Sequence, residues 1–479
     1  MVRGHSRHSY RFPATNANSA TLDLNFAGTA ALPATVTFSR GTNATFTNSA
    51  GNVQLTSGVN DPRFDYDPIT LVCKGLLIEE ARTNLFTYSS QFDNAAWTPG
   101  LLNTTGTPAW INVGIAPDGT TSADALIAST SNGNHYSSQT ITRTAGSYTH
   151  TVYAKPFGYN FVAIQIRDLA GTFKSAEFNV LTGVVVNSTG ALSTAVVSVG
   201  NGWYKCSFAF NAGIGSTGGN DAIFVGSIAG NWNSGFSGDG TSGILVWGAQ
   251  AEAGAFATSY IPTTAAAATR NVDVAVMTGT NFSSWYNQTQ GTMFAQYESF
   301  NPSTAVTDGV FSISDGTSTN RINLHTGVSG YQAYNFVTTG NVLQFSVVRT
   351  PFVAGAFVKF AGAYVNSSFA AYADGTQMGA TSTSATMPTV NQLQIGGLEN
   401  IGYPLNGHIA RITYYPTRLP NATLQALTAV VTPPTTNFAV KSAAGTSYST
   451  TRNVLSAAGT SYAVSATVLR ANGTSYTPI

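Results

Sequence analysis

The sequence predicts an all-β chain: tandem antiparallel β-sandwiches of jelly-roll type, with an N-terminal arm and a short repetitive β tail. Short runs of alternating polarity, such as SYTHTVYA, FVAIQI and GWYKCSFAF, recur along most of its length, and period-two alternation is the signature of half-buried strands. Clusters of Gly, Asn, Ser and Asp separate these runs, with no long helical pattern between them, which favours antiparallel pairing over βαβ units. At 479 residues the chain is also longer than one core supports, since single cores stop growing near ~250–300 residues.

Composition narrows the function classes. Charged residues make up 9% of the chain, against ~25% in an average globular protein, so hydroxyls and amides must keep the surface wet. With 43% hydrophobic residues there is ample material for packed cores, which argues against disorder. A net charge of +1 supplies no basic field for phosphate contacts, and nucleic acid is excluded as a partner. Cys73 and Cys206 are too few for a disulfide framework and read as free thiols. No run of ~18 apolar residues occurs and the basic start, MVRGHSRHSYRF, leads into no apolar leader core; neither membrane insertion nor a signal peptide is expected.

Taken in order, residues 1–20 read as a flexible anchoring arm rich in Arg, His and aromatics. Residues 21–85 form an N-terminal β-hairpin unit and junction, with TLDLNF placing Leu22, Leu24 and Phe26 on one face and a turn at Ser49–Asn52 inside FTNSAGNVQL. Within it, DPRFDYDP holds Asp61, Asp65 and Asp67, either a cation site or a pair of Asx-Pro turns with Arg63 as counter-ion. Residues 86–264 read as one sandwich and 265–290, with TTAAAATRNVD, as a linker. A second strand series fills 291–432; Asp374-Gly375 marks a tight hairpin, and LPNATLQALTAV a helix with Leu419, Leu424 and Leu427 along one stripe. In 433–479, Gly445, Gly459 and Gly473, like Tyr448, Tyr462 and Tyr476, recur at a constant step. Units this small cannot bury an apolar face alone, which predicts intertwining with other copies.

Chemistry is sparse. GIGSTG at Gly213–Gly218 is followed by a strand pattern and is no dinucleotide fingerprint. No GxSxG, HExxH, CxxC or ExDxxE motif occurs, and no catalytic residue is assigned. Glu79, Glu80 and Arg82 form the densest charge cluster; adjacent strand residues point to opposite faces, so one glutamate is expected to pair with Arg82 and the other to meet solvent, the trio acting as a structural clasp between units. Sandwiches that bind sugars stack them on aromatics, and Trp110, Tyr136, Tyr159, Trp232 and Trp285, in or beside loop-like sequence, are the glycan-binding candidates.

The succession PRFDYDP, GLLIEEARTNLFTYSSQFDNAAWT, APDGTTSADAL and WGAQAEAGAFATSYIPT, between Phe38 and Pro262, resembles a module of structural and tail-associated proteins of tailed bacteriophages; Arg82–Leu85 and Ser259–Pro262 are its most specific pieces. That resemblance implies a carbohydrate-binding-module-like jelly roll. From Gly291 to Thr428, DGVFSISDG, YADG and LNGHIARITYYPTRL resemble concanavalin/laminin-G-like lectin sandwiches of phage fibres, except that Pro420 and Thr423 replace the Ser…Glu helix cap. The implied protein is a non-enzymatic virion fibre or spike on the capsid, neck or tail, assembled in the host cytoplasm. It would be attached to other virion proteins through its arm, homotrimeric, and adhesive to host surface polysaccharide. A structural calcium is implied as well, with Asp93, Asp118 and Glu252 as candidate oxygens. A head decoration protein without ligand and a polysaccharide depolymerase remain open alternatives.

Overall fold

The computed structural model describes residues 19–103, 111–215, 219–227, 229–230, 232–301, 307–327, 331–338, 342–349, 353–365, 368–381, 386–399, 403–430, 437–441 and 447–451. It is nearly all β and wholly antiparallel in its named strand pairs, as alternating polarity and turn spacing predict. Two compact units divide the chain, Met1–Thr428 and Ala429–Ile479.

Within the larger unit the strands build two sandwiches, and the order in which they do so differs from the linear division expected above. One sandwich uses both ends of the unit. Its first sheet has eight strands, in which Phe64–Tyr66, Cys73–Ile78 and Leu22–Leu24 join Gly407–Tyr415, Gln290–Ser299 and Val358–Val365. Its second sheet has seven, in which Thr37–Ser39 and Val274–Thr278 lead into Gln392–Ile395 and Asp308–Ser314. Leu22, Leu24, Phe26, Leu76 and Ile78 share one core with Phe311, Tyr334, Phe360 and Tyr414. We call this the framing sandwich. Residues 21–85 therefore do not stand as a separate hairpin unit. Three-residue strands such as Leu22–Leu24 bury too little alone and gain a core by completing someone else's sheet.

The inserted sandwich lies between these ends in sequence. One six-stranded sheet runs Ala191–Ser198, Tyr204–Asn211, Ser147–Phe157, Gly243–Ala253, Thr121–Ile127, Gly114–Ile115; the other runs Val184–Thr189, Phe173–Asn179, Phe161–Arg167, Gly219–Gly226, His135–Ile141, Thr98–Gly100. Between them Val152, Ile164, Phe178, Cys206, Phe208 and Val246 form a separate core. The chain enters and leaves through a short neck in which Arg82–Asn84 pairs with Ala268–Arg270.

Residues 265–290 are not a linker. Besides the neck strand they carry Val274–Thr278 and the one-turn helix Thr280–Ser283, with Ala275, Met277 and Phe282 buried. The alternation in VDVAVM is too short to stand out behind its Ala-rich approach. Elsewhere local signals hold. Asp374 and Gly375 both take positive φ, 47° and 76°, the requirement of a two-residue type I′ turn. The Leu419–Leu427 stripe is seated by Leu419 and Leu424 on Ala361, Ala363 and Ala370, although the helix is the short Asn421–Thr428. No helix among the described residues is long and apolar enough to cross a membrane.

In the smaller unit, Asn437–Lys441 pairs with Ser447–Thr451 as an antiparallel hairpin. The later tail repeats and the arm up to residue 18 lie outside the described residues.

Candidate functional site

Glu79, Glu80 and Arg82, expected to act together as a clasp, divide between two arrangements: Glu79 centres a buried charge cluster, and Glu80 pairs with Arg82 beside it. Glu79 is buried, its side chain 1% exposed. Arg63 reaches its Oε2 at 2.7 Å and Arg270 at 3.1 Å; the backbone N–H and hydroxyl of Ser259 donate to the same carboxylate at 2.7 and 2.6 Å. Asp273 extends the cluster, bridging Arg63 and Arg40 and accepting the Glu79 N–H at 2.9 Å. Burial pushes the Glu79 carboxyl up, but the charges of Arg270 and Arg63 and the donors of Ser259 outweigh it and hold it well below the usual carboxylate range.

Three guanidiniums thus face two carboxylates from both parts of the framing sandwich, the neck and the Ser259 segment of the inserted one. Such a buried network is stable only because nearly every charge has a partner. The expectation that the second glutamate meets solvent is corrected. Glu80, not Glu79, pairs with Arg82 and keeps its side chain 30% exposed, because the alternating direction of the chain sends Glu79 inward. Arg82 also lies over Phe256 at 4.8 Å, in a space that the absent side chain of Gly254 leaves open.

Next to this cluster Asn84 is fully buried and saturated: its amide donates to the carbonyls of Ala249 and Ile261, and its side-chain oxygen accepts from the N–H groups of Ala251 and Phe86. The motif residues Arg63, Arg82, Asn84 and Ser259 therefore work as the joint between the sandwiches. Arg40, Asp273 and Arg270 were missed at the sequence level: their immediate neighbours, in FSRGTN and ATRNVD, are mostly polar, and the available signal was the scarcity of charge in the chain.

The aspartates of DPRFDYDP do not converge. Asp61 accepts from the backbone of Gly58 and the hydroxyl of Ser57. Asp65 holds Nε2 of His408 at 2.9 Å, and Asp67 caps the turn at Ile69 and Thr70. Arg63 answers Glu79 and Asp273 instead.

The calcium candidates are likewise not brought to one point. Glu252 is occupied by the hydroxyl of Thr258 at 2.6 Å and by Gln250 at 2.9 Å. Asp118 accepts from Thr120 across its own turn, and Asp93 is an exposed turn residue whose charge reaches Asp124. Among the described residues no group of three or more His, Cys, Asp or Glu is arranged to hold a metal ion.

Three of the five aromatic candidates meet on one end of the inserted sandwich. Tyr136 projects from the outer face of its sheet and packs on Phe224, ring centroids 5.0 Å apart; Phe224 in turn packs on Trp232, also at 5.0 Å. Tyr159 lies edge-on to Phe236 at 5.7 Å. Phe236 is tied to Gly133 by a pair of backbone hydrogen bonds, and its carbonyl contacts His135, whose other ring nitrogen meets the carbonyl of Leu101 at 2.6 Å.

This bracing fixes the rim of a shallow depression of about 610 Å³, in which the half-buried Tyr136 ring sits among Asn132, Asn134, Asn233 and Ser234. Gly100 forms its floor, and a Cβ there would come within 2.3 Å of the Tyr136 ring. Trp232 is only 6% exposed and supports the depression from behind. Trp285 is a correction: at 5% exposure it belongs to the framing core, edge-on to Tyr414, since it follows directly on the helix that buries Phe282. Trp110 lies outside the described residues.

A second, deeper cleft of about 600 Å³ opens between the sandwiches, beside the clasp. One wall is the outer face of the inserted sheet, with Val197, Lys205 and Ser207; the other is the Thr45–Thr47 strand with Asp65, Lys74 and His408.

No family model matches the chain, and no curated protein matches it. Among solved structures, the carbohydrate-binding module CBM40 of Ruminococcus gnavus IT-sialidase, bound to alpha2,3 sialyllactose, is similar over 31% of this chain and 88% of its own, at 19% identity and a TM-score of 0.28. NanB sialidase from Streptococcus pneumoniae is similar over 35% of this chain and 28% of its own, at 11% identity and a TM-score of 0.28. The leech intramolecular trans-sialidase is similar over 32% and 25%, at 21% identity and a TM-score of 0.27. Likeness at these scores carries no argument about function.

Proposed function

We propose that the protein is a non-enzymatic structural protein that binds saccharide at the Tyr136 depression, serving in the fibre or spike of a tailed-phage particle as an adhesin for host surface glycans. The observation that carries the binding role is the Tyr136 ring set in an uncharged hollow of amides and hydroxyls. A sugar presents C–H faces to an aromatic ring and hydroxyls to amide groups, and a site pre-braced in this way orders few side chains on binding. The virion role is supported by the sequence resemblance, whose most specific residues occupy the joint between the sandwiches, and by a surface kept wet with few charges.

Titration calorimetry with host capsular or lipopolysaccharide glycan tests this reading. Tyr136→Ala is expected to weaken binding about tenfold or more, equivalent to ~1.4 kcal/mol, while lowering the melting temperature only by the loss of its Phe224 contact; Gly100→Val, which displaces the ring, should weaken binding alike, and thermal melts establish that both variants fold. Binding unchanged in both variants overturns the site. Absence of any binding favours a decoration protein without ligand, and new reducing ends in the glycan would mark a depolymerase.

A further inference from the structure

The cleft between the sandwiches carries a charge the clasp does not use. Of the ionic groups that line it, Asp65 is held by His408, Lys74 by Glu298, and Glu79 by Arg63 and Arg270. Lys205 has no carboxylate within ion-pair distance among the described residues, and its Nζ donates to the carbonyl of Thr258 at 2.7 Å. An ammonium group has three N–H donors, and Thr258 takes one of those of Lys205, a residue that lines the cleft. Burial pulls the Lys205 pKa down, only partly offset by the more distant Glu252, Glu79 and Asp65. A carboxylate arriving beside it would offset that penalty through charge attraction and hydrogen bonding.

The surroundings select among anions. Ser193, Ser207 and Thr47 lie along the walls with Val197 and Phe46; Ser193 donates to the carbonyl of Ala255, and Ser207 shares a hydrogen bond with Thr151. A sugar hydroxyl can pair with the lone pairs these hydroxyls keep free, which an aliphatic body cannot do. The volume, about 600 Å³, falls within the usual ~300–1,000 Å³ of small-ligand sites.

We infer that this cleft is a second saccharide site, selective for a sugar that bears a carboxylate, with Lys205 as the residue that recognises it. The inference rests on the saccharide-binding reading above for its ligand class, but on different residues.

The test is calorimetry in the Tyr136→Ala background, which silences the first depression, using trigalacturonate and its methyl ester. Trigalacturonate is expected to bind, the ester at least tenfold more weakly, and added salt to narrow the difference. Lys205→Met should weaken the acid at least tenfold and leave the ester unaffected, while Lys205→Arg restores most of the affinity; thermal melts establish that each variant folds. Equal affinity for acid and ester, undiminished binding by a folded Lys205→Met variant, or binding of decanoate in place of trigalacturonate overturns the proposal. Should Lys205→Met fail to fold, the acid–ester comparison still decides. The first site fails separately, through a neutral-glycan affinity that Tyr136→Ala does not reduce.

Discussion

At the scale of single residues, Glu79 and Arg82 lie three positions apart and differ sharply in what their loss should do. Glu79 neutralises two guanidiniums that have no access to water. Glu79→Gln keeps the shape but leaves Arg40, Arg63 and Arg270 facing Asp273 alone, and breaking a buried pair in this way costs ~3–5 kcal/mol. Arg82 meets a glutamate that is 30% exposed; pairs open to solvent contribute ~0–1 kcal/mol, and Arg82→Ala should cost about 1–2 kcal/mol once the Phe256 contact is included. Urea denaturation at pH 7 should show this ranking, and an Arg82 variant as damaged as the Glu79 variant would contradict it. The pH dependence has a definite sign. The folded-state pKa of Glu79 is depressed, so its stabilisation is complete above the ordinary glutamate value near ~4.3 and drains away as pH falls below it. The gap between wild type and Glu79→Gln should therefore be widest at neutral pH and close in acid.

At the scale of elements, the chain threads one sandwich into another, and the neck makes that insertion separable. Asn84 pairs with Ala268, so the chain leaves the framing sandwich and returns to it at adjacent points. Replacing residues 86–266 by a short Gly/Ser turn should leave the framing sandwich folded, with a single cooperative thermal transition, because its core draws no residue from the excised span. A chain beginning at residue 265 should instead aggregate, since it lacks the strands Leu22–Leu24 and Cys73–Ile78 that cover Gly407–Tyr415. Collapse of the excised form would mean that the sandwiches depend on each other for folding. This arrangement also explains what could be read from the sequence. Strand identity was legible wherever alternation ran long, as in Ser147–Phe157 and Phe161–Arg167, and so were the turns at Gly51 and Asp374–Gly375. Partnership was not: period-two polarity says that a strand has a buried face, not which distant strand will cover it. The same limit applied to the sites. Tyr136, Tyr159 and Trp232 could be named as aromatics in loop-like sequence, but their meeting around Phe224 and Phe236 depends on pairing across the sheet, and Trp285 could not be told from them.

At the scale of the whole molecule, the tail is the part whose stability its own sequence does not explain. The unit Ala429–Ile479 contains the hairpin Asn437–Lys441 with Ser447–Thr451, and an isolated two-stranded hairpin is marginal in water. Its sequence repeats AAGTSYS, AAGTSYA and ANGTSYT, each followed or preceded by apolar pairs such as Val454–Leu455 and Val468–Leu469. Repeats of this size gain stability by stacking on like repeats, and identical repeats on other copies of the chain are the partners always at hand. We expect the full chain to be a homotrimer joined through this tail. With a net charge of +1 the copies repel little, and assembly should be largely insensitive to salt. Mass photometry comparing the full chain with one ending at Pro433 measures this directly: trimer in the first, monomer in the second, with glycan binding per chain preserved. An unchanged oligomer after truncation would place the contact on the sandwiches instead, where the neighbouring edge strands Val184–Thr189 and Ala191–Ser198 expose Val184, Val186, Leu192 and Val197 and are the surface to mutate next.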